Sequence, residues 1–323
     1  MRIFASEVVT MAIKAHRDVI VIGGSAAGLS AALVLARAQL DVLIIDSGEP
    51  RNAPAHHMHG FLSRDGIAPS EFISVGASEV VGYGGHIEKT KVMTIQLRPD
   101  GLFYVQMENG RSETCRALLV ATGLKDQIPS ITGVQDRWGS LVHHCPYCHG
   151  YEVLNQRIAV IAGELKEMSI KQAGLLRRYS NHVVFLSNGQ SLSRSEEASL
   201  ERNGVQIISS LVSHIIGEVD TLTGVAFKDG SAIQCDSIFI APVMAPNDQI
   251  LKSLNCLRNP KTDYVEVNEV GQTSVPGVWA AGNVVNPYAQ VITAAGAGSA
   301  SAIAISGWLL QQDQNHLSKG NTE

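Results

Sequence analysis

Residues 18–22 form a short apolar, β-branched run, Val19 to Ile22 behind Asp18, the pattern of a buried strand. Gly23-Gly24-Ser25-Ala26-Ala27-Gly28 follows, and Leu29, Leu33, Leu35 and Ala36 then recur at helical spacing. Residues 40–45 predict a second strand, which ends at Asp46. The same order returns further along: a strand at Arg157–Ile161, a helix over 164–178 and a strand at His182–Leu186. Each unit closes with a matching apolar strand, at 115–121 in the first and 235–241 in the second. Near the C-terminus, 276–284 reads as turn, short strand and loop, and 289–305 as a helix rich in Ala and Gly.

Strand, glycine turn, helix, strand and acid at this spacing make a dinucleotide-binding βαβ unit. Gly23, Ser25, Ala26, Ala27 and Gly28 let the backbone approach a pyrophosphate. The helix N-terminus supplies N–H donors, and Asp46 can accept from a ribose hydroxyl. Ser25 stands where the middle glycine of the fingerprint belongs. Ala121-Thr122-Gly123 is a second turn at which backbone can pack against the ligand. The second unit keeps the frame and loses the phosphate chemistry. Laying 22–25 over 161–164 puts Ala162 on the first glycine, Glu164 on the middle position and Glu167 on the last. Two carboxylates there repel a pyrophosphate, and Ser187-Asn188-Gly189 offers no arginine for a 2′-phosphate. The fold class is therefore α/β with two Rossmann-like domains. Residues 17–125 with 249–323 make the first, and 126–248 a degenerate second.

Composition narrows the classes. The 323 residues are 45% hydrophobic and 17% charged, with a net charge of −5 and no basic cluster, so nucleic acid is not an expected partner. No apolar run in the sequence reaches the roughly 20 residues that span a bilayer. Ser6, Glu7 and Lys14 interrupt the first 16 residues, which do not read as a signal peptide; Met11 is an alternative start behind a disordered extension. A cytoplasmic location is expected.

Three of the five cysteines, Cys115, Cys235 and Cys256, are scattered and read as small buried hydrophobes. Cys145 and Cys148 are different: two intervening residues let a pair close a small redox disulfide, and His143, His144 and His149 beside them can move protons. The same motif is open to c-type haem attachment, to zinc, or to a purely structural thiol pair. Haem attachment goes with export, and a structural zinc site would bring a second spaced pair, so redox chemistry is preferred and no metal is assigned. His56-His57-Met58-His59 reads as a loop lining a pocket rather than a metal site.

With these residues in view, the chain after about Arg17 resembles the low-molecular-weight thioredoxin reductases. It departs from them in its second glycine turn, in His149 where they carry an acid, and in Asn283 where they usually have Asp. Those departures, with 51–54, 57–62, 148–152 and 162–165, are similar to the FAD-dependent dithiol oxidases that close disulfides in natural products such as gliotoxin, holomycin and romidepsin, the last type preferred. The resemblance implies FAD as cofactor, held by the first glycine turn, Ala121, Thr122 and Gly123, and by Ser47, Arg51, Asn52, His57, Gly282, Asn283, Gln290 and Val291. It implies a small-molecule dithiol and O2 as partners, H2O2 as product, and a homodimer. Cys145 would form the mixed disulfide with substrate, Cys148 would face the flavin, and His149, with His144 second, would carry the proton. Bridged disulfides are strained and oxidising, and about 30 mV corresponds to about 1.4 kcal/mol for two electrons, so oxygen can drive their closure. Two other readings stay open: a thioredoxin reductase fed by ferredoxin or another donor, and a non-catalytic flavin redox sensor.

Overall fold

The computed structural model describes residues 16–320; the expectations for the first 15 residues lie outside them. In chain order the first elements are β1 (Arg17–Ile22), α1 (Ala26–Arg37), β2 (Val42–Asp46), α2 (Pro69–Gly82), β3 (His86–Lys89), β4 (Val92–Leu97), β5 (Phe103–Met107), β6 (Ser112–Val120) and β7 (Leu124–Gln127). Then come β8 (Val142–His143), α3 (Pro146–His149), β9 (Arg157–Ile161), α4 (Lys166–Leu176), β10 (His182–Leu186), α5 (Arg194–Arg202) and β11 (Gln206–Ile208). A meander of β12 (Val212–Ile216), β13 (Gly224–Phe227) and β14 (Ala232–Gln234) precedes β15 (Ser237–Ile240) and β16 (Val243–Pro246). The chain ends with α6 (Gln249–Ser253), β17 (Val278–Ala280) and α7 (Val291–Gly320).

The first sheet has the order β3-β2-β1-β6-β5-β4, with β17 also on β6. β1 pairs in parallel with β2 and β6, because helical crossovers return the chain to the same end. β6 starts three residues before the apolar run and, on the edge away from β1, serves two partners: Ser112 to Cys115 pair antiparallel with β5, and Leu118 to Val120 pair parallel with β17. Alternation in β1 decides the layers. Val19 and Val21 pack with α1 and α7 on one face, while Ile20 and Ile22 pack with Phe103, Val105 and Val278 on the other.

The second sheet has the order β11-β10-β9-β15-β8 and repeats the parallel frame. Two antiparallel strands, β7 and β16, form a separate ribbon where the chain passes between the two sheets and back. The fold is thus α/β, with two parallel βαβ frames in one chain.

α7 corrects the sequence reading twice. It runs from Val291 to Gly320 rather than stopping near Ile305, and its stretch Val291–Ser318 is long and apolar enough to cross a membrane by length and composition. Its inner face is nevertheless committed to the cluster that holds α1: Ala294, Ala302, Ile305 and Leu309 are buried there. Small residues bring the two helices together. A Cβ on Gly298 would lie 2.0 Å from the Ala27 carbonyl oxygen.

Candidate active site

Four loops meet at the C-terminal edge of the first parallel strands. Gly23 follows β1, Ser47 follows β2, Ala121 follows β6 and Ala281 follows β17; this edge is where doubly wound sheets bind ligands. The β1 turn is tight: a Cβ on Gly28 would fall 1.8 Å from the Gly23 carbonyl oxygen, so α1 begins hard against the strand. The Gly24 N–H donates to Asp46 at 2.8 Å, which draws the acid over the turn. The N–H groups of the first turn of α1 have no partner in their own helix. Small side chains, free donors and an adjacent carboxylate fit the pyrophosphate and ribose of a dinucleotide.

The other predicted cofactor residues sort by surroundings. Ala121 is buried and donates to Ile22 at 2.7 Å, and its neighbour Thr122 exchanges hydrogen bonds with Asn247 at 2.7 and 3.0 Å. Gly282 and Asn283 lead into α7, where the Asn283 amide donates to the carbonyls of Asn286 (2.9 Å) and Ala289 (3.0 Å). Gln290 accepts from the Ala294 N–H one turn into the helix that Val291 opens. Arg51 and half-buried Asn52 lie on the loop after β2. Ser47 and His57 are exposed, and the His57 ring is held inside its own loop, 3.0 Å from the Gly66 carbonyl.

The cysteine pair sits at the head of the second unit. Cys145 and Cys148 form a disulfide with their Cα atoms 5.3 Å apart. Pro146 opens the one-turn helix α3, whose N–H groups at Cys148 and His149 both reach the Cys145 carbonyl at 3.1 Å. From α4, Gln172 donates to the His144 carbonyl at 2.7 Å and fixes the backbone entering the pair. Among the described residues no group of three or more His, Cys, Asp or Glu is placed to hold a metal.

Three imidazoles surround this helix. His143, buried on β8, stacks on His149 at 4.4 Å and tilts against Phe239. His144 stacks on Trp138 at 6.0 Å. Burial drives His143 down to about 3, helped by His149 and His144. Burial, then the Arg51 charge, lowers His144 to about 4. Burial also lowers His149, against the opposing pull of the Glu152 carboxylate. All three rings are therefore neutral near pH 7. Nδ1 of His143 and of His149 is buried without a hydrogen-bond partner, so His149 can take up a proton beside the disulfide.

The second glycine turn is filled by its own side chains. Gln190 donates across the cleft to the Gly163 carbonyl, and Lys166 ties the same edge to Ser191 and Glu196, each at 3.0 Å. Glu164 and Glu167 are exposed at its mouth. The turn is one residue longer than in the first unit, since α1 starts four residues after Ile22 and α4 five after Ile161. Glu167 is then the second helical residue, not the counterpart of Gly28.

Sequence reasoning missed four contributors. Asp126 on β7 pairs with Arg51, Trp138 covers His144, Gly298 admits α1 to α7, and Glu152 meets His59. A signal existed for Glu152, three residues after His149; the others depend on contacts between distant segments.

The family described as pyridine nucleotide-disulphide oxidoreductase matches residues 17–298. The crystal structure of HlmI superposes with a TM-score of 0.92 at 40% identity, covering 96% of this chain and 97% of that one. A putative thioredoxin reductase TrxB from Bacillus anthracis gives 0.88 at 30% identity, covering 92% and 100%. Thioredoxin reductase tcpT of Claviceps purpurea is 31% identical over 82% of this chain and 86% of its own length, and sirT of Leptosphaeria maculans 28% over 94% and 97%. The chain belongs to the pyridine nucleotide-disulphide oxidoreductase family and is an FAD-binding flavoenzyme that acts on thiols.

Proposed function

We propose that this enzyme oxidises a small-molecule dithiol to an intramolecular disulfide, where FAD, when bound at the first glycine turn, would supply the electron acceptor for the reduced cysteines and the route from them to O2 and H2O2. The observation that carries this reading is the filled second nucleotide turn beside an intact Cys145–Cys148 disulfide. An enzyme that keeps its redox disulfide while its second glycine turn is crossed by its own side chains takes electrons from thiols rather than from a nicotinamide.

The chain's own residues supply the exchange steps. His149 takes the proton of the first substrate thiol; the resulting thiolate attacks Cys145 and the bond to Cys148 breaks, with Cys148 leaving as thiolate. The second substrate thiol then attacks the mixed disulfide, freeing Cys145 and closing the product S–S bond. Two electrons pass from the substrate sulfurs to the enzyme sulfurs; of the two protons, His149 holds the first and Cys145 takes the second as it is freed. The first turn of α1 would hold the FAD pyrophosphate and Asp46 a ribose hydroxyl.

The test is anaerobic bleaching of the flavin by dithiothreitol or by NADPH, followed by oxygen and a peroxide count. Bleaching by dithiol alone, with peroxide on reoxidation and loss of both in Cys145→Ser, is expected. Rapid bleaching by NADPH would sink the proposal and return the enzyme to the ordinary reductases; activity only on thioredoxin would favour the ferredoxin-fed reading.

We further propose a homodimer. On α7, Ile292, Ile303, Leu310 and Leu317 are exposed at spacings of 11, 7 and 7 residues, one stripe of the helix. Beside it Leu29, Leu33, Phe61, Phe72 and Val75 line a groove of about 270 Å³. A second copy of the chain is the occupant expected, and a monomer in light scattering at micromolar concentration would remove it.

A further inference from the structure

His143 is a buried imidazole that the exchange steps above leave unused. Its ring lies between two others: it stacks on His149 with centroids 4.4 Å apart and planes 21° apart, and it tilts against Phe239 at 5.3 Å. The strand pairing fixes it there. β8 sets His143 in register with Phe239 on β15, and the Leu141 carbonyl accepts from the Ile238 N–H at 3.1 Å. The residue is 6% exposed and its Nδ1 has no hydrogen-bond partner, so it is held by the faces of its ring. His149 is only half-buried, and its backbone is seated by the next residue: a Cβ on Gly150 would lie 2.6 Å from the Tyr179 ring.

We propose that His143 is a positioning residue for the base: its neutral ring holds the plane of His149 beside Cys145 and Cys148, and offers a π face to the imidazolium formed when His149 takes the substrate proton. The inference rests on the dithiol-oxidase reading above, in which His149 is that base. His149 follows Cys148 directly, and its backbone N–H donates to the Cys145 carbonyl at 3.1 Å, so rotation of its ring decides whether a nitrogen meets an incoming thiol. A parallel stack removes that rotation. Two rings this close do not both carry charge, and burial, with the His149 charge, keeps His143 neutral. The proton therefore goes to His149, where a neutral ring face against a cation is attractive. The other titratable groups that bear on His149 are Glu152, His59 on the loop after β2, and His144. A change at position 143 leaves all three in place.

The test compares the FAD-loaded enzyme as wild type, His143→Phe, which keeps a flat ring, and His143→Leu, which removes it. The titration of His149 is followed by NMR through its ring Cε1–H signal, assigned by its absence in His149→Gln. In His143→Leu the midpoint is expected to fall by roughly one pH unit, the size of a desolvated cation–π contact, and in His143→Phe to stay near the wild-type value. Anaerobic flavin bleaching by dithiothreitol, read as rate against pH, follows the midpoint. The step needs neutral His149, so in His143→Leu the acid limb moves to lower pH, and the plateau drops because a weaker base takes the proton less readily. The half-saturating dithiothreitol concentration is unchanged, and His143→Phe restores both limb and plateau. A midpoint that stays in place or rises in His143→Leu would overturn the proposal, as would an equal loss of rate in the Leu and Phe variants. The titration is read without turnover, so a wild type that dithiothreitol does not bleach at any pH, while the midpoint shifts as expected, sinks the dithiol-oxidase reading alone.

Discussion

Arg51 and Asp126 make a two-pronged ion pair, Nε and Nη2 of the guanidinium donating to the two carboxylate oxygens at 2.9 and 2.7 Å. The third nitrogen turns the other way, toward Asn283 at 3.4 Å and the Pro287 carbonyl at 3.3 Å. One side chain therefore joins the loop after β2, the ribbon between the sheets and the turn into α7. The Asp126 side chain is only 5% exposed and that of Arg51 16%. Removing one partner of such a pair leaves a charge uncompensated, whatever the pair itself contributes. Asp126→Asn is expected to destabilise the flavin-loaded enzyme by about 3 kcal/mol in urea unfolding. A change within about 0.5 kcal/mol, the range of an ordinary surface substitution, would show the pair to be decorative.

Flavin retention depends on how closely α1 is gripped. Gly28→Ala puts a methyl 1.8 Å from the Gly23 carbonyl oxygen, and Gly298→Ala puts one 2.0 Å from that of Ala27, so backbone must move in each. Both variants are expected to purify with much less yellow colour than wild type, read as the ratio of flavin to protein absorbance. A full flavin complement in Gly28→Ala would mean that the turn does not hold the cofactor.

Acid stability follows from the buried rings. His143 is neutral in the fold down to about 3, whereas the unfolded chain protonates it near its ordinary value of 6.5. The unfolded state thus binds more protons in that window, so stability is fully present above about 6.5 and is lost as pH falls toward 3. The slope approaches about 1.4 kcal/mol per pH unit for each such group. His144, lowered to about 4, adds a second. His143→Phe removes one of them, and its melting temperature should fall less steeply between pH 7 and 5. An unchanged slope would count against the burial argument.

Thiol accessibility separates the five cysteines. Cys115, Cys235 and Cys256 are buried, and burial raises all three thiols, that of Cys235 up to about 12. Mild reduction followed by iodoacetamide at pH 7.5 should label Cys145 and Cys148 and spare the rest, as read by peptide mass. Label on Cys235 without unfolding would contradict its place against β9 and β15.

Much of the architecture is written locally. The apolar runs at 18–22 and 157–161, the small residues after each and the acid at 46 are short-range signals, because strand burial, turn sterics and helix starts are decided within a dozen residues. The Cys145/Cys148 pair and its histidines are legible for the same reason, and so is the damage to the second turn at Ala162 and Glu164. What those residues meet is another matter. Nothing local says that Gln190 and Lys166 cross the second glycine turn, that Arg51 reaches Asp126, 75 residues away, or that His59 closes on Glu152. The true length of α7 was hidden too, since its polar last third, Gln311 to Gly320, is almost without apolar residues. Burial of His143 and His144, and with it the protonation of the site, exists only once β8, β15, α3 and α4 are packed together, because desolvation belongs to the assembled neighbourhood and not to the residue.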